Sequence, residues 1–337
     1  MESFQHHHEV SSGSGDPKEM QQIFLNQSLF SPFVVNTLKV QGDVGFLYHS
    51  ACYNPKYNLI IACPSNTTMQ FYDANTFEPC EKRGVRKLDS VSQMSFHPEN
   101  DTYLLGCMSG PIYKYNVSKN ELETLGKLDG TIFEITFLDS TFYAFSLLES
   151  EKLYVGNLNN GFVLKFDLNS TPSFGLHHLS KEKLLFTGLS NSYVKAFRTN
   201  KLPHLKAICS VRTKGWTLGI QSFNVNGKEY VVAAGEDQTV RIWHLVKGRV
   251  RLLKVIHNKS EFCSLICLEN YKMIATSCKD NSLRFWRFPS MKLEKVVSLS
   301  EGAFHLFLVK EKNMIGVTNE NESKIEFVQL HRHLQEK

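Results

Sequence analysis

Two segments of this chain carry the same order of residue types 43 positions apart. The first runs Val231-Val232-Ala233-Ala234-Gly235-Glu236-Asp237-Gln238-Thr239-Val240-Arg241-Ile242-Trp243. The second runs Met273-Ile274-Ala275-Thr276-Ser277-Cys278-Lys279-Asp280-Asn281-Ser282-Leu283-Arg284-Phe285-Trp286. Each reads as an apolar strand, a tight turn bearing aspartate, and a second strand whose side chains alternate inward and outward. Period-two alternation marks a half-buried strand, and an aspartate carboxylate suits a turn because it accepts local backbone N–H groups. Weaker echoes of the closing position occur throughout the chain. Tyr72, Tyr115, Gly156, Phe197, Trp243, Trp286 and Val328 follow one another at steps of 41 to 46 residues. An upstream strand repeats as well, with apolar residues at its first, fourth and sixth positions. Val91, Met94 and Phe96 fit, as do Ile132, Ile135 and Phe137, then Ile220, Phe223 and Val225, then Phe262, Leu265 and Cys267. Asn226-Gly227 after the third of these is a strong hairpin turn.

A repeat of about 40–45 residues holding four short strands is the signature of a propeller blade. Seven closing positions predict an all-β chain folded as a seven-bladed β-propeller of four-stranded antiparallel blades; six and eight blades are the alternatives. Blade 7 supplies only three strands before a polar end, while Phe33–Val40 reads as a spare strand before blade 1. Pairing it with Ile325–Val328 would close the ring and cover an open edge. The expected organisation is a flexible N-terminal segment over residues 1–30, the propeller over 31–331 and a polar tail over 332–337. His6-His7-His8 and the Ser/Gly run after it look linker-like and partly tag-like. Three turns depart from the repeat: Asn66 in blade 1, Leu148–Glu151 in blade 3 and Asn319–Ser323 in blade 7.

The apolar strand, Asp turn and terminal Trp of blades 5 and 6 resemble the WD-repeat family at its own spacing. That resemblance implies a rigid, non-catalytic platform for peptides and partner subunits. It also implies a structural role for His257, Ser277, Asp280 and Trp286 as a buried hydrogen-bond chain in blade 6, with Asp237 and Trp243 as the remnant of the chain in blade 5. The same four residues superficially suggest a Ser-His-Asp hydrolytic site, but no nucleophile elbow, oxyanion loop or glycine-rich loop accompanies them. By family register, partners would contact the top face through two residues in the first strand of each blade and the residue just before the Asp of the turn. Mapped onto this chain, the positions are Leu47, His49 and Ser65, Ser90, Ser92 and Met108, Thr131, Phe133 and Glu149, then Gln221, Glu236, Glu261, Cys263, Lys279 and Phe304. Phe133 and Phe304 stand one residue out of phase with the core positions around them, so both are expected to point away from the sandwich, either as rim aromatics tucked under a neighbouring loop or as peptide anchors on the top surface. Glu149, Glu236 and Glu261 would favour a basic peptide.

Composition narrows the function classes. The 337 residues are 42% hydrophobic and 21% charged, as in an ordinary globular chain. No run approaches the roughly 20 apolar residues of a membrane span, and residues 1–18 lack the apolar stretch of a secretory signal. The expected compartment is the cytosol or nucleus. Eight cysteines contain no Cys-x-x-Cys pair, so they read as buried reduced thiols. No Walker loop, dinucleotide fingerprint or His-Glu-x-x-His motif occurs; no catalytic residue, cofactor or metal is expected. The net charge of +5 falls short of a nucleic-acid footprint. Two clusters are denser, Lys82-Arg83-Arg86-Lys87 and Lys247-Arg249-Arg251-Lys254, and read as solvated strand faces or sites for acidic tails and phosphates. Proteins or peptides are therefore the expected partners, in a subunit of a larger multiprotein complex. An RNA-associated factor of a ribonucleoprotein or ribosome-assembly particle is the alternative.

Overall fold

A computed structural model describes residues 34–330, apart from residues 42–44, 66–67, 81, 84–85, 98, 100, 162, 247–248, 301 and 320. The segments expected at 1–30 and 332–337 lie outside the described residues. The described residues fold into 28 strands and two single-turn 3-10 helices. Successive groups of four strands form antiparallel blades, and the inner strands of blades 1 and 2 share one parallel bridge, His49 to Gln93. The architecture is a seven-bladed β-propeller. All seven closing positions read from the sequence fall on third strands, from Tyr72 in Thr68–Asp73 to Trp286 in Ser282–Arg287 and Val328 in Lys324–Gln329. The last blade is composite. Its inner three strands are Ala303–Val309, Met314–Asn319 and Lys324–Gln329, and its fourth is Val34–Lys39, antiparallel with Leu38 opposite Ile325.

Burial explains the residue pattern. The second strands Leu59–Pro64, Thr102–Cys107, Leu184–Leu189, Met273–Cys278 and Met314–Asn319 are buried at every residue. Each presses one face on the preceding blade and the other on the next, so apolar residues run without alternation. Outer strands such as Glu121–Lys127 face solvent and read polar. The apolar cores consequently lie between blades. Ile61, Met69 and Phe71 of blade 1 pack with Tyr103, Leu105 and Tyr115 of blade 2. Phe186 and Val194 of blade 4 meet Trp243 of blade 5, and Val232 and Ile242 of blade 5 meet Phe262 and Trp286 of blade 6. At Gly156, where blade 3 lacks a large closing residue, the ring of Tyr143 occupies the space a Cβ would need. The aromatic bulk comes from the neighbouring strand instead.

In each of the seven inner strands, pairing with the second strand slips near its start. A bulge re-aims the side chains around it, and the inward–outward phase read from sequence fails there. Between Ile132 and Glu134 the skipped residue is Phe133. Its ring turns onto Phe174 of blade 4, with centroids 4.4 Å apart, and the residue is 1% exposed.

The polar chain expected in blade 6 is rearranged. Trp286 is buried, and its indole N–H donates to Thr276 Oγ1 at 2.9 Å, not to Ser277. The Ser277 hydroxyl donates to the carbonyl of Phe304 in blade 7 at 3.4 Å. His257 is exposed at the end of the outer strand Arg249–His257, opposite Thr239 of blade 5. Asn258 takes its expected place, accepting from the Arg284 guanidinium and donating to the Ser260 carbonyl at 2.9 Å. The two Asp turns instead share an Asp-x-Thr/Ser-x-Arg arrangement. Asp237 accepts from Thr239 Oγ1 at 2.7 Å and Arg241 Nη2 at 2.5 Å; Asp280 accepts from Ser282 Oγ at 2.5 Å and from Arg284. Burial pushes the Asp237 carboxyl up, but Arg241 and Thr239 outweigh it and hold the group below the usual carboxylate range. Asn319 does the same turn work in blade 7, accepting N–H groups from Asn321 and Glu322 at 2.8 and 3.0 Å.

Truncating Trp286 to Ala removes a large buried ring between blades 5 and 6, and urea unfolding should show a loss of about 3–5 kcal/mol. Thr276→Val preserves shape but strands the indole N–H, and should cost about 1–3 kcal/mol. A Thr276→Val protein as stable as wild type would contradict this pairing.

Candidate functional site

The end of the propeller where inner strands begin and the Asp turns lie carries most of the residues mapped as partner contacts. Inter-blade hydrogen bonds fix the loops there. Ser90 Oγ donates to the Ser65 carbonyl at 3.0 Å, and Thr131 Oγ1 to the Met108 carbonyl at 2.9 Å. Met108 itself is 40% exposed, and Glu149 is exposed. Over blades 5 and 6 the structure gathers a further set. Lys279 Nζ pairs with Glu261 Oε2 at 2.5 Å. The Glu261 hydrogen bond, supported by the nearby negative charge of Glu236, raises the Lys279 ammonium above its usual range. Glu236 in turn accepts the Trp216 N–H at 3.5 Å, while its own N–H donates to the Trp216 carbonyl at 2.9 Å. Trp216 is 42% exposed. Trp216 is not among the contact positions given by family register; a tryptophan just before an inner strand, close to Lys214, is the signal the sequence carries.

Other mapped residues lie elsewhere. Phe133 is withdrawn as a surface anchor, since the bulge buries it against Phe174. Phe304 is half-buried on Ala303–Val309. Gln221 belongs to the channel wall, where its Oε1 accepts the Cys267 N–H of the next blade at 3.1 Å. Ser92 is buried and donates to the Ile132 and Gly106 carbonyls at 2.5 and 3.0 Å. The backbone of His49 is placed by its bridge to Gln93; its side chain and that of Leu47 lie outside the described residues. Cys263 is half-buried on the inner strand Phe262–Leu268 of blade 6.

A cavity of about 150 Å³ in the central channel is lined by inner-strand residues, among them Gln93, Ser95, Glu134, Thr136, His177, Ser264 and His305. Neighbouring inner strands are joined by side chains as well as by packing. Glu134 Oε1 accepts the Gly175 N–H at 2.9 Å, and His177 Nε2 bonds Ser222 Oγ at 3.0 Å. Burial pushes the Glu134 carboxyl up to about 8 and the His177 imidazole down to about 4. Both are therefore neutral near pH 7, and the channel wall presents hydrogen-bonding groups without net charge from this pair.

The hydrolytic constellation considered for blade 6 is not assembled: Ser277, Asp280 and His257 each bond other partners or face solvent. All eight cysteines are free, and burial pushes the Cys107 and Cys278 thiols up to about 12 and 11. Among the described residues no group of three His, Cys, Asp or Glu side chains converges as a metal site, and no helix is long and apolar enough to cross a membrane. The first basic cluster is partly consumed by the fold. Arg83 donates to Tyr115 OH at 3.2 Å and the Val117 carbonyl at 2.7 Å, and Arg86 to the Asn120 carbonyl at 2.8 Å, tying blade 1 to blade 2.

No family profile matches the sequence, and no curated protein matches it. The fold has solved counterparts. The β-propeller domain of Cps50 (Swd1) from Myceliophteria thermophila superposes with a TM-score of 0.73 at 8% identity, over 88% of this chain and 99% of that one. A chain of the mitotic checkpoint complex gives a TM-score of 0.76 at 12% identity, over 98% of both chains. At such identities the likeness establishes the propeller fold.

The buried carboxyl yields a pH signature. Folded Glu134 holds its proton to about pH 8, against 4.5 for an ordinary glutamate, so the folded state binds the extra proton between those values. Stability contributed by that proton is present at low pH and is lost as pH rises through about 8. His177 and His178, both lowered to about 4 by burial, act in the opposite sense, but only below about 6.5, the ordinary histidine value. From pH 6.5 to 8 Glu134 alone of the three contributes. Denaturant midpoints of the wild type should fall across that window, and those of Glu134→Gln should stay flat. Parallel slopes for the two proteins would show that the carboxyl is not held neutral.

Proposed function

We propose that this chain is a divergent WD-repeat protein serving as a rigid, non-catalytic interaction platform within a multiprotein assembly. The observation that carries this reading is the surface over blades 5 and 6, where Trp216 stands exposed beside Glu236 and the Lys279–Glu261 pair, with Met108 exposed on blade 2. An aromatic side chain on a stiff backbone, ringed by charge, is the composition of a binding hot spot. Glu236, Glu261 and Glu149 make a peptide with basic residues the favoured ligand of this face. One solved counterpart belongs to an assembly, the mitotic checkpoint complex, which supports the subunit role. The free thiols, three of them buried, fit a reducing compartment, cytosol or nucleus. The RNA-associated reading loses support from Arg83 and Arg86, whose guanidinium groups are spent on blade 2.

Trp216→Ala combined with Met108→Ala should leave the melting temperature nearly unchanged, because both side chains are solvent-facing. Affinity capture followed by mass spectrometry should then lose the partners recovered by the wild type. An unchanged set of partners, with folding confirmed by circular dichroism, would move the binding surface off this face. Phe133→Ala, by contrast, should destabilise the fold by about 3–5 kcal/mol, as removal of a buried aromatic does.

A further inference from the structure

We propose a second docking surface on the side of the ring: the outer strand of blade 5, Arg249–His257, receives an extended acidic peptide that also carries apolar side chains. Four observations converge on this strand. It is the last of its sheet, and among the described residues no strand pairs with its far edge. Such an edge offers unpaired N–H and C=O groups to an incoming chain. Its surface is apolar: Leu252 and Leu253 are 52% and 53% exposed, and Val246, at the hairpin end of the adjoining third strand, is exposed as well, whereas the outer strand of blade 6, Lys292–Ser298, exposes the single leucine Leu293.

The cause is local. Pairing with the third strand steps from Lys254 opposite Ile242 to Leu252 opposite Trp243, so Leu253 is a bulged residue without a partner. Two neighbouring leucines thereby reach solvent together. Other side chains of the strand are claimed by the fold, Val250 by the core with blade 4, Ile256 by the core with blade 6, and Lys254 by the Ser290 carbonyl of blade 6. The leucine pair has no such neighbour. Single exposed leucines are ordinary, whereas a contiguous apolar patch marks a contact surface.

Charge selects the occupant. Arg249, Arg251 and Lys254 are exposed, and the strand holds no carboxylate. Neither arginine forms an ion pair among the described residues, whereas Lys114 and Lys152 on other blades are paired with Glu123 and Asp167 of adjoining outer strands. An uncompensated basic edge repels a second copy of itself and attracts an acidic segment. A peptide of alternating acidic and apolar residues would set its carboxylates on Arg249 and Arg251 and its apolar side chains on Leu252, Leu253 and Val246. This surface is separate from the face bearing Trp216, and its partner chemistry is of opposite sign.

A random decapeptide display library, selected on the full-length wild type and counter-selected on Arg249→Glu/Arg251→Glu, reads this directly. The enriched peptides should be acidic with interspersed Leu, Ile, Val or Phe. A representative labelled peptide, followed by fluorescence anisotropy, should lose about tenfold in affinity in Arg249→Glu/Arg251→Glu and again in Leu252→Ser/Leu253→Ser. Its binding should weaken with added salt and be unchanged in Trp216→Ala, which separates this outcome from the fate of the other face. All substituted side chains are exposed, and circular dichroism checks each fold. Absence of enrichment, enrichment of basic or neutral peptides, or wild-type affinity in either double variant would overturn the proposal. So would a wild-type dimer lost in Leu252→Ser/Leu253→Ser, which gives the edge to a second copy, or binding of an oligouridine RNA lost in Arg249→Glu/Arg251→Glu, which gives it to nucleic acid.

Discussion

No blade of this propeller owns a core. A four-stranded sheet has two faces, and here each second strand buries both, one against the blade before it and one against the blade after. Trp286 of blade 6 belongs to the same cluster as Val232 and Ile242 of blade 5, and Trp243 of blade 5 to the same cluster as Phe186 of blade 4. Apolar burial, the dominant stabilising contribution, is thus shared between neighbours at every described cluster. Side chains join the inner strands as well: Ser92 reaches Ile132, Glu134 receives Gly175, and Gln221 receives Cys267. The first described strand takes part too, since Val34–Lys39 covers the outer edge of Lys324–Gln329.

That arrangement explains what the sequence revealed. A strand buried on both faces must be apolar at nearly every position, and a strand half-buried must alternate, so period and blade number were readable from Tyr72 to Val328 even where individual blades had drifted. Gly156 could be aligned because its neighbours kept the pattern, although Tyr143 supplies its missing bulk. Local departures were not readable. The bulge at Phe133 leaves no mark in residue types, and it converts an expected surface anchor into a buried ring. A one-residue difference between His257 and Asn258 decides which side chain meets Arg284. The basic residues 83 and 86 looked solvated because their partners, Tyr115, Val117 and Asn120, are about 30 positions away and on another blade. Trp216 was overlooked because register directed attention to family positions rather than to an aromatic residue preceding a strand.

The same mechanics separate structure from recognition. Three ionisable groups near the core are paired or neutral: Asp237 with Arg241, Glu134 protonated, His177 uncharged. The surfaces proposed for partners lie on the rim, with Trp216, Glu236 and the Lys279–Glu261 pair on one face, and the leucine–arginine edge of blade 5 on the side. A ring whose blades support one another holds such surfaces at fixed spacing, which favours affinity because little ordering accompanies binding.

Mutual support between blades predicts that they unfold together. Urea unfolding of the full chain, followed in parallel by tryptophan fluorescence and far-ultraviolet circular dichroism, tests this most directly. The buried tryptophans Trp243 and Trp286 report on blades 4 to 6, while circular dichroism reports on every strand. Shared cores require the two transitions to coincide in midpoint and slope. Distinct transitions, with blades 4 to 6 melting apart from the rest, would contradict the claim that the blades stand or fall as one.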